Sequence, residues 1–170
     1  MNSYAGPEEL RPRVLAAIVL LEEIVNSPGF RGLVHGYRRY RHEENLDPTA
    51  IYNRLMTGHS DGQGDLAAGR VVKFDYSIVD GASGTTIGYR VEGTSNVFTY
   101  RERFEEMDVH DLVSHLGHEI MGHLAGGFGH PKLRWRGRSR SVPYKVDEFI
   151  EELLEQRQRA HADAGHEAAG

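Results

Sequence analysis

The chain of 170 residues contains no cysteine. Disulfide bonds and thiolate metal ligands are therefore excluded, and any metal site must use histidine and carboxylate side chains. The longest apolar run, residues 14–21, is too short to cross a bilayer, and glutamates flank it on both sides, unlike the core of a signal peptide. We therefore expect no membrane partner and a protein that is cytoplasmic or exported without a signal peptide.

The sequence also lacks a large excess of charge of one sign. A formal net charge of -5 argues against binding nucleic acid by broad electrostatic attraction, so no nucleic-acid partner is expected. The apolar fraction of 39% is ordinary for a globular protein. We expect a flexible N-terminus over residues 1–10, a single domain over residues 11–159 and a disordered tail over residues 160–170.

Apolar spacing and capping residues predict an α+β fold. A helix is expected over residues 11–26, and Asp47 and Pro48 are typical of the start of a second helix ending near Thr57. Asp108 or Asp111 is expected to begin a third helix that runs to about Ala125. An amphipathic pattern predicts a last helix over residues 146–159.

Three segments between these helices have the character of strands. They cover residues 70–79, 85–92 and 96–104, with glycine-rich turn signals between them. We expect them to form a small antiparallel sheet of about three strands.

The histidines supply the strongest functional signal. Half of the ten histidines lie between residues 110 and 130, and the stretch 115–130 reads H-L-G-H-E-I-M-G-H-L-A-G-G-F-G-H. Histidines clustered beside a carboxylate on a helix are typical of a zinc site with its own general base. The familiar motif H-E-x-x-H places two ligands four residues apart on one helix face, whereas His118-Glu119 and His123 form H-E-x-x-x-H, one residue longer.

This extra residue is incompatible with a regular helix. His118 and His123 would lie about 140° apart around its axis. His115 and His123 would share a face with Glu119 but would be about 12 Å apart along the axis. A π-bulge, with i→i+5 hydrogen bonding, would align residues five apart. Because Gly117 and Gly122 are poor helix formers, we predict such a bulge near residues 120–122, with His118 and His123 as zinc ligands.

Zinc in a catalytic site needs a third protein ligand. Glu148 on the last helix is the preferred candidate, because the apolar face of that helix is expected to pack against the histidine helix. His130 is the second candidate, seven residues after His123. Glu151 and Glu152 are further alternatives, and the role of His115 stays open.

On these residues, the segment 70–155 resembles a zincin metallopeptidase domain, nearest to the small gluzincin type. The resemblance implies a minimal fold of a small sheet, an active-site helix and a C-terminal glutamate helix. It also implies zinc as the cofactor, Glu119 as general base and His118, His123 and Glu148 as metal ligands. Tyr144 would assist the oxyanion, as a tyrosine often does in this family. Such domains occur among bacterial toxins and effectors.

The resemblance further implies a protein or peptide as substrate, bound as an extra strand at the sheet edge, for example along residues 96–104. An inhibitor or immunity protein is compatible with it as a further partner. Two alternative functions remain open. One is a metal-independent ribonuclease-type toxin, in which histidines act as acid and base and cations hold phosphate; its cations would be Lys132, Arg134 and Arg136. The other is an inactive zincin-like domain that binds a partner.

Overall fold

The computed structural model describes residues 1–41, 44–57, 72–81, 86–91, 93–130 and 139–167. It has the predicted α+β class, with a small sheet and a larger share of helix. No helix in these ranges is both long and apolar enough to cross a membrane.

The N-terminal half supplies three helices. Helix α1 covers Arg11–Val25, α2 covers Pro28–Gly36 and α3 covers Pro48–Thr57. The predicted ends of the helices now labelled α1 and α3 are close to those observed. Ser27 begins α2 by accepting a hydrogen bond from the backbone N–H of Phe30. The side chain of Asp47 accepts one from the N–H of Ala50, which caps α3 as the Asp-Pro pair predicts.

The sheet has four strands: β1 (Ser3–Ala5), β2 (Asp75–Val79), β3 (Gly88–Arg90) and β4 (Asn96–Tyr100), in the order β1-β2-β4-β3. The predicted antiparallel sheet is wrong, because β2 pairs in parallel with both β1 and β4 and only β3 and β4 run antiparallel. Turn signals along the chain could not reveal this pairing, since the strands on either side of a turn need not be neighbours in the sheet.

Two terminal segments also differ from expectation. Residues 3–5 were expected to be flexible, but they form β1, where Tyr4 lies opposite Tyr76 and stacks on it. The final helix, α6, covers Val142–Glu167 and so extends into the segment expected to be a disordered tail. Residues 168–170 lie outside the described part of the chain.

A continuous helical segment carries the histidine cluster. The short helix α4 (Arg101–Glu106) follows β4 directly, so the third predicted strand ends at Tyr100 instead of residue 104. Helix α5 (Val109–Leu116) begins at Asp108, whose side chain and that of Asp111 form a reciprocal capping box. A π-helix (Gly117–Ala125) continues it without a break.

One face of the sheet packs against the helices. The residues of β2 and β4 alternate between buried and half-buried positions, and Tyr76, Val97 and Thr99 are fully buried. Helix α5 packs between α1 and α6, and α6 also packs along the π-helix. The metal-binding candidates therefore lie on a helix that is supported on several sides by the core.

Candidate metal centre

The extra residue between His118 and His123 is absorbed by π-helical backbone. The predicted bulge is confirmed, and it is longer than expected, since all nine residues from Gly117 to Ala125 are π-helical. In a π-helix, residues five apart are joined by i→i+5 backbone hydrogen bonding and lie on the same side of the helix. His118 and His123 therefore point to the same side, and their ring centroids are 5.1 Å apart.

A tight turn ends the π-helix and leads to the third histidine. The N–H of Gly126 donates to the carbonyl of Met121, and Gly127 has a positive φ of 62°, a conformation that glycine adopts without strain. The N–H of Phe128 donates back to the carbonyl of Gly122. This turn reverses the chain, and His130 returns to face the two helical histidines.

His118, His123 and His130 form a group that could hold a metal ion. One ligand nitrogen from each lies within 4.8 Å of the others. The closest pair is Nε2 of His123 and Nε2 of His130, 3.2 Å apart. The side chain of His118 is only 12% exposed, whereas His123 and His130 are half-buried. His118 therefore lies at the more buried end of the group, and His123 and His130 are its more accessible members.

Each imidazole has a polar group on its Nδ1 side, within hydrogen-bond distance for His123 and His130 and farther away for His118. Nδ1 of His123 lies 2.6 Å from the carbonyl oxygen of Phe128; since a carbonyl can only accept, Nδ1 carries the proton there. Nδ1 of His130 is 3.2 Å from the hydroxyl of Ser141, which can donate or accept. Nδ1 of His118 lies 4.0 Å from a carboxylate oxygen of Asp147. Such outer contacts orient metal-binding histidines and leave Nε2 for the ion.

The two glycines of the π-helix allow close packing against α6. A Cβ at Gly122 would lie 2.6 Å from Cα of Pro143, and a Cβ at Gly117 would overlap Cδ1 of Ile150. Since the two glycines are five residues apart, they share the face that contacts α6. We had predicted from the sequence that these glycines allow the bulge, whereas in the structure they allow close packing against α6. This packing brings Ser141 and Tyr144 close to the histidines.

Glu119, which follows His118 directly in the sequence, is buried. The pKa of its carboxyl is raised to about 7, chiefly because burial removes the carboxyl from water. The positive charge of Arg90 partly opposes this rise in pKa, and the negative charge of Asp147 adds to it. Arg90 lies on β3 and its Nη1 donates to the carbonyl of His123, so the edge of the sheet is joined to the π-helix at this point. Burial, followed by repulsion from Glu151 and Glu148, also raises the pKa of Asp147 to about 7.

Tyr144, in the first turn of α6, closes one side of the group. Its ring centroid is 4.8 Å from that of His118 and 5.0 Å from that of His130. Sequence analysis had selected Tyr144 but had missed Asp147, Ser141 and the carbonyl of Phe128. No local motif marks these three groups, because their contacts depend on how α6 and the turn after the π-helix pack.

The other residues selected from the sequence lie elsewhere. The preferred third ligand, Glu148, is outside the histidine group, with a side chain that is 59% exposed and paired with Lys145. Glu151 and Glu152 are exposed on α6. His115 is in the core, where its Nε2 lies 3.0 Å from the hydroxyl of Thr99. The cations of the ribonuclease alternative, Lys132, Arg134 and Arg136, lie outside the described residues.

The position of Glu148 on α6 explains why it does not belong to the histidine group. Asp147 and Glu148 are neighbours on α6, so their side chains point in directions about 100° apart. Asp147 faces His118, which leaves Glu148 directed toward solvent. No family model, curated protein or solved structure matches this chain, so the geometry alone identifies the candidate site.

Proposed function

We propose that the protein is a zinc-dependent hydrolase of peptide bonds, with His118, His123 and His130 as metal ligands and Glu119 as general base. The observation that carries this proposal is the convergence of the three imidazoles, the first of which is directly followed in the sequence by a buried glutamate. His130 takes the place that the sequence pattern had favoured for Glu148.

The donor set suits zinc. Catalytic zinc sites commonly have three nitrogen or oxygen ligands at about 2.0–2.1 Å and an open fourth position, and two such ligands at a tetrahedral ion lie about 3.3 Å apart. Nε2 of His123 and Nε2 of His130 are already 3.2 Å apart. The full group spans up to 4.8 Å, so binding requires a small inward movement of its side chains.

The neighbouring residues have distinct proposed roles. Zinc, when bound, would supply a water molecule of lowered pKa. Glu119 would accept a proton from the attacking water at its carboxylate and then transfer it to the leaving amine. The hydroxyl of Tyr144 would donate a hydrogen bond to the oxygen of the reacting carbonyl. Asp147 would orient His118 from its Nδ1 side.

A peptide substrate is proposed to bind along β3. The predicted location, along residues 96–104, is wrong, because β4 has neighbours on both sides. Strand β3 is at the end of the sheet order and is joined to the π-helix by Arg90, so an extended peptide added there would run past the histidines. Tyr89 on this strand and its flanking residues Ile87 and Val91 are about 40% exposed, which favours apolar side chains in the substrate.

The test combines metal analysis with one substitution. The purified protein should bind one zinc ion, and it should cleave members of a degenerate peptide library, as detected by mass spectrometry. Glu119→Gln should keep the zinc and slow hydrolysis by about 10²–10⁴-fold, because only the base is lost. Glu105→Gln, at an exposed position of α4, is the matched control and should change neither property.

Each contrary result has a definite meaning. A protein that binds no added zinc would contradict the proposal. Unchanged hydrolysis by Glu119→Gln would remove Glu119 as the base. Zinc binding without hydrolysis would favour the inactive partner-binding domain, and cleavage of RNA in the presence of a chelator would favour the ribonuclease alternative.

A further inference from the structure

Arg54 joins α3 to the turn that follows the π-helix. Its Nε donates to the carbonyl of Gly126 at 2.7 Å, and its guanidinium carbon lies 4.6 Å from the ring centroid of Phe128. Nη1 of Arg54 is 2.6 Å from both carboxylate oxygens of Glu44. The side chain is only 12% exposed, so these contacts fix it inside the protein.

The turn held by Arg54 serves two of the three histidines. The carbonyl of Phe128 accepts the hydrogen bond from Nδ1 of His123, and His130 follows two residues later. Phe128 is only 4% exposed, and its ring lies under the guanidinium of Arg54. A displacement of this ring would therefore also displace the backbone carbonyl of Phe128. Gly126 and Gly127 give the turn little stiffness of its own.

We infer that Arg54 is a positioning residue of the metal site, acting through Gly126 and Phe128 on His123 and His130. Its hydrogen bond holds the carbonyl of Gly126 at the end of the π-helix, and its cation–π contact holds the ring of Phe128. This inference deepens the proposed metal-binding function and rests on it. It extends the site to α3, more than 60 residues before the histidines in the sequence.

The first measurement needs no metal. In the metal-free protein above pH 8, nitrogen NMR distinguishes whether the proton of His123 is on Nδ1 or Nε2. The wild-type protein should show Nδ1–H, because Nδ1 donates to Phe128. Arg54→Gln should show a mixture of the two forms, because the carbonyl is no longer held in place. Arg54→Lys, which keeps the charge near Glu44 but lacks the planar fork, should be intermediate.

The second measurement is zinc affinity, by competition with a chromophoric chelator. Arg54→Gln should bind zinc about tenfold more weakly, at the lower end of the range for residues that orient metal-binding histidines. The matched control is Arg103→Gln, since Arg103 also forms an ion pair in a partly buried position but does so on α4. Thermal unfolding of the metal-free variants establishes that each is folded; if Arg54→Gln is not, Arg54→Lys provides the comparison.

The two proposals fail in different ways. A folded Arg54 variant with the wild-type form of His123 and the wild-type zinc affinity would overturn the role of Arg54. An equal loss in Arg103→Gln would do the same, since the effect would then be a general loosening. If wild-type protein binds no zinc, the proposed hydrolase is contradicted, while the NMR measurement still decides whether Arg54 positions His123.

Discussion

Helix α5 and the π-helix belong to one continuous helical segment, yet they use histidine in opposite ways. In α5, His115 is buried and its Nε2 joins the hydroxyls of Thr99 and Tyr76 in a hydrogen-bonded chain within the core. In the π-helix, His118 and His123 face a partly open side together with His130. The regular half therefore serves the fold, and the π-helical half presents two of the three histidines that could hold a metal ion.

Histidines that are clustered in the sequence are not equivalent in the structure. His115 is three residues before His118, but the change in backbone hydrogen bonding at Gly117 separates their surroundings. Burial lowers the pKa of His115 to about 4, so this residue is neutral at ordinary pH. Three predictions test how far the two halves differ.

Zinc affinity should distinguish the two halves most strongly. His118→Ala should weaken zinc binding by more than about 100-fold, because it removes a ligand and not merely a residue that orients one. His115→Asn should leave zinc affinity unchanged and lower the free energy of unfolding by about 1–3 kcal/mol, because Thr99 loses its buried partner. Zinc titration and chemical denaturation of both variants measure this. A large loss of zinc affinity in His115→Asn would mean that the two halves are coupled.

The next effect concerns acid. Because the pKa of His115 is about 4 in the folded protein and about 6.5 when unfolded, the unfolded chain binds the extra proton first. The stability that neutral His115 contributes is complete above pH 6.5 and is lost as the pH falls to 4, a change of about 3 kcal/mol at most.

A substitution isolates this contribution. Glu119 and Asp147 have raised pKa values, which stabilise the folded state as the pH falls, so the wild-type profile alone combines opposite effects. The difference in unfolding free energy between wild type and His115→Gln should therefore be followed from pH 7 to pH 4, where wild type should lose stability relative to the variant. A constant difference across this range would show that His115 does not resist protonation.

A smaller effect tests the packing of the π-helix on α6. Gly122→Ala would place a methyl group 2.6 Å from the backbone of Pro143, and the strain should cost about 1–3 kcal/mol of unfolding free energy. It should also weaken zinc binding, because a displacement of α6 would move Asp147 and the adjoining Ser141. The control is Gly32→Ala in α2, where no atom lies within 4 Å and the change should stabilise by about 0.5–1 kcal/mol. Equal effects at both positions would argue against close packing at Gly122.

The features that the sequence predicted correctly are local ones. Asp47 and Asp108 begin helices because side-chain capping involves only the next few residues. The π-helix was predicted for a similar reason, since five-residue spacing of two histidines on a helix has few geometric solutions. The features that sequence analysis missed, such as the parallel pairing of β2 with β1 and β4, involve residues about 20 to 70 positions apart.

The composition limits the ligands that a metal site could use: since the chain has no cysteine and has a histidine cluster around Glu119, a metal could only be held by imidazole and carboxylate groups. Which of these groups converge depends on the tertiary structure. The preference for Glu148 reflected a correct expectation that α6 packs on the histidine helix, but the rotation of α6 directs Asp147 to the site. The turn after the π-helix then brings in His130. Such choices depend on angles of about 100° per residue and on contacts between distant segments, which a linear pattern does not contain.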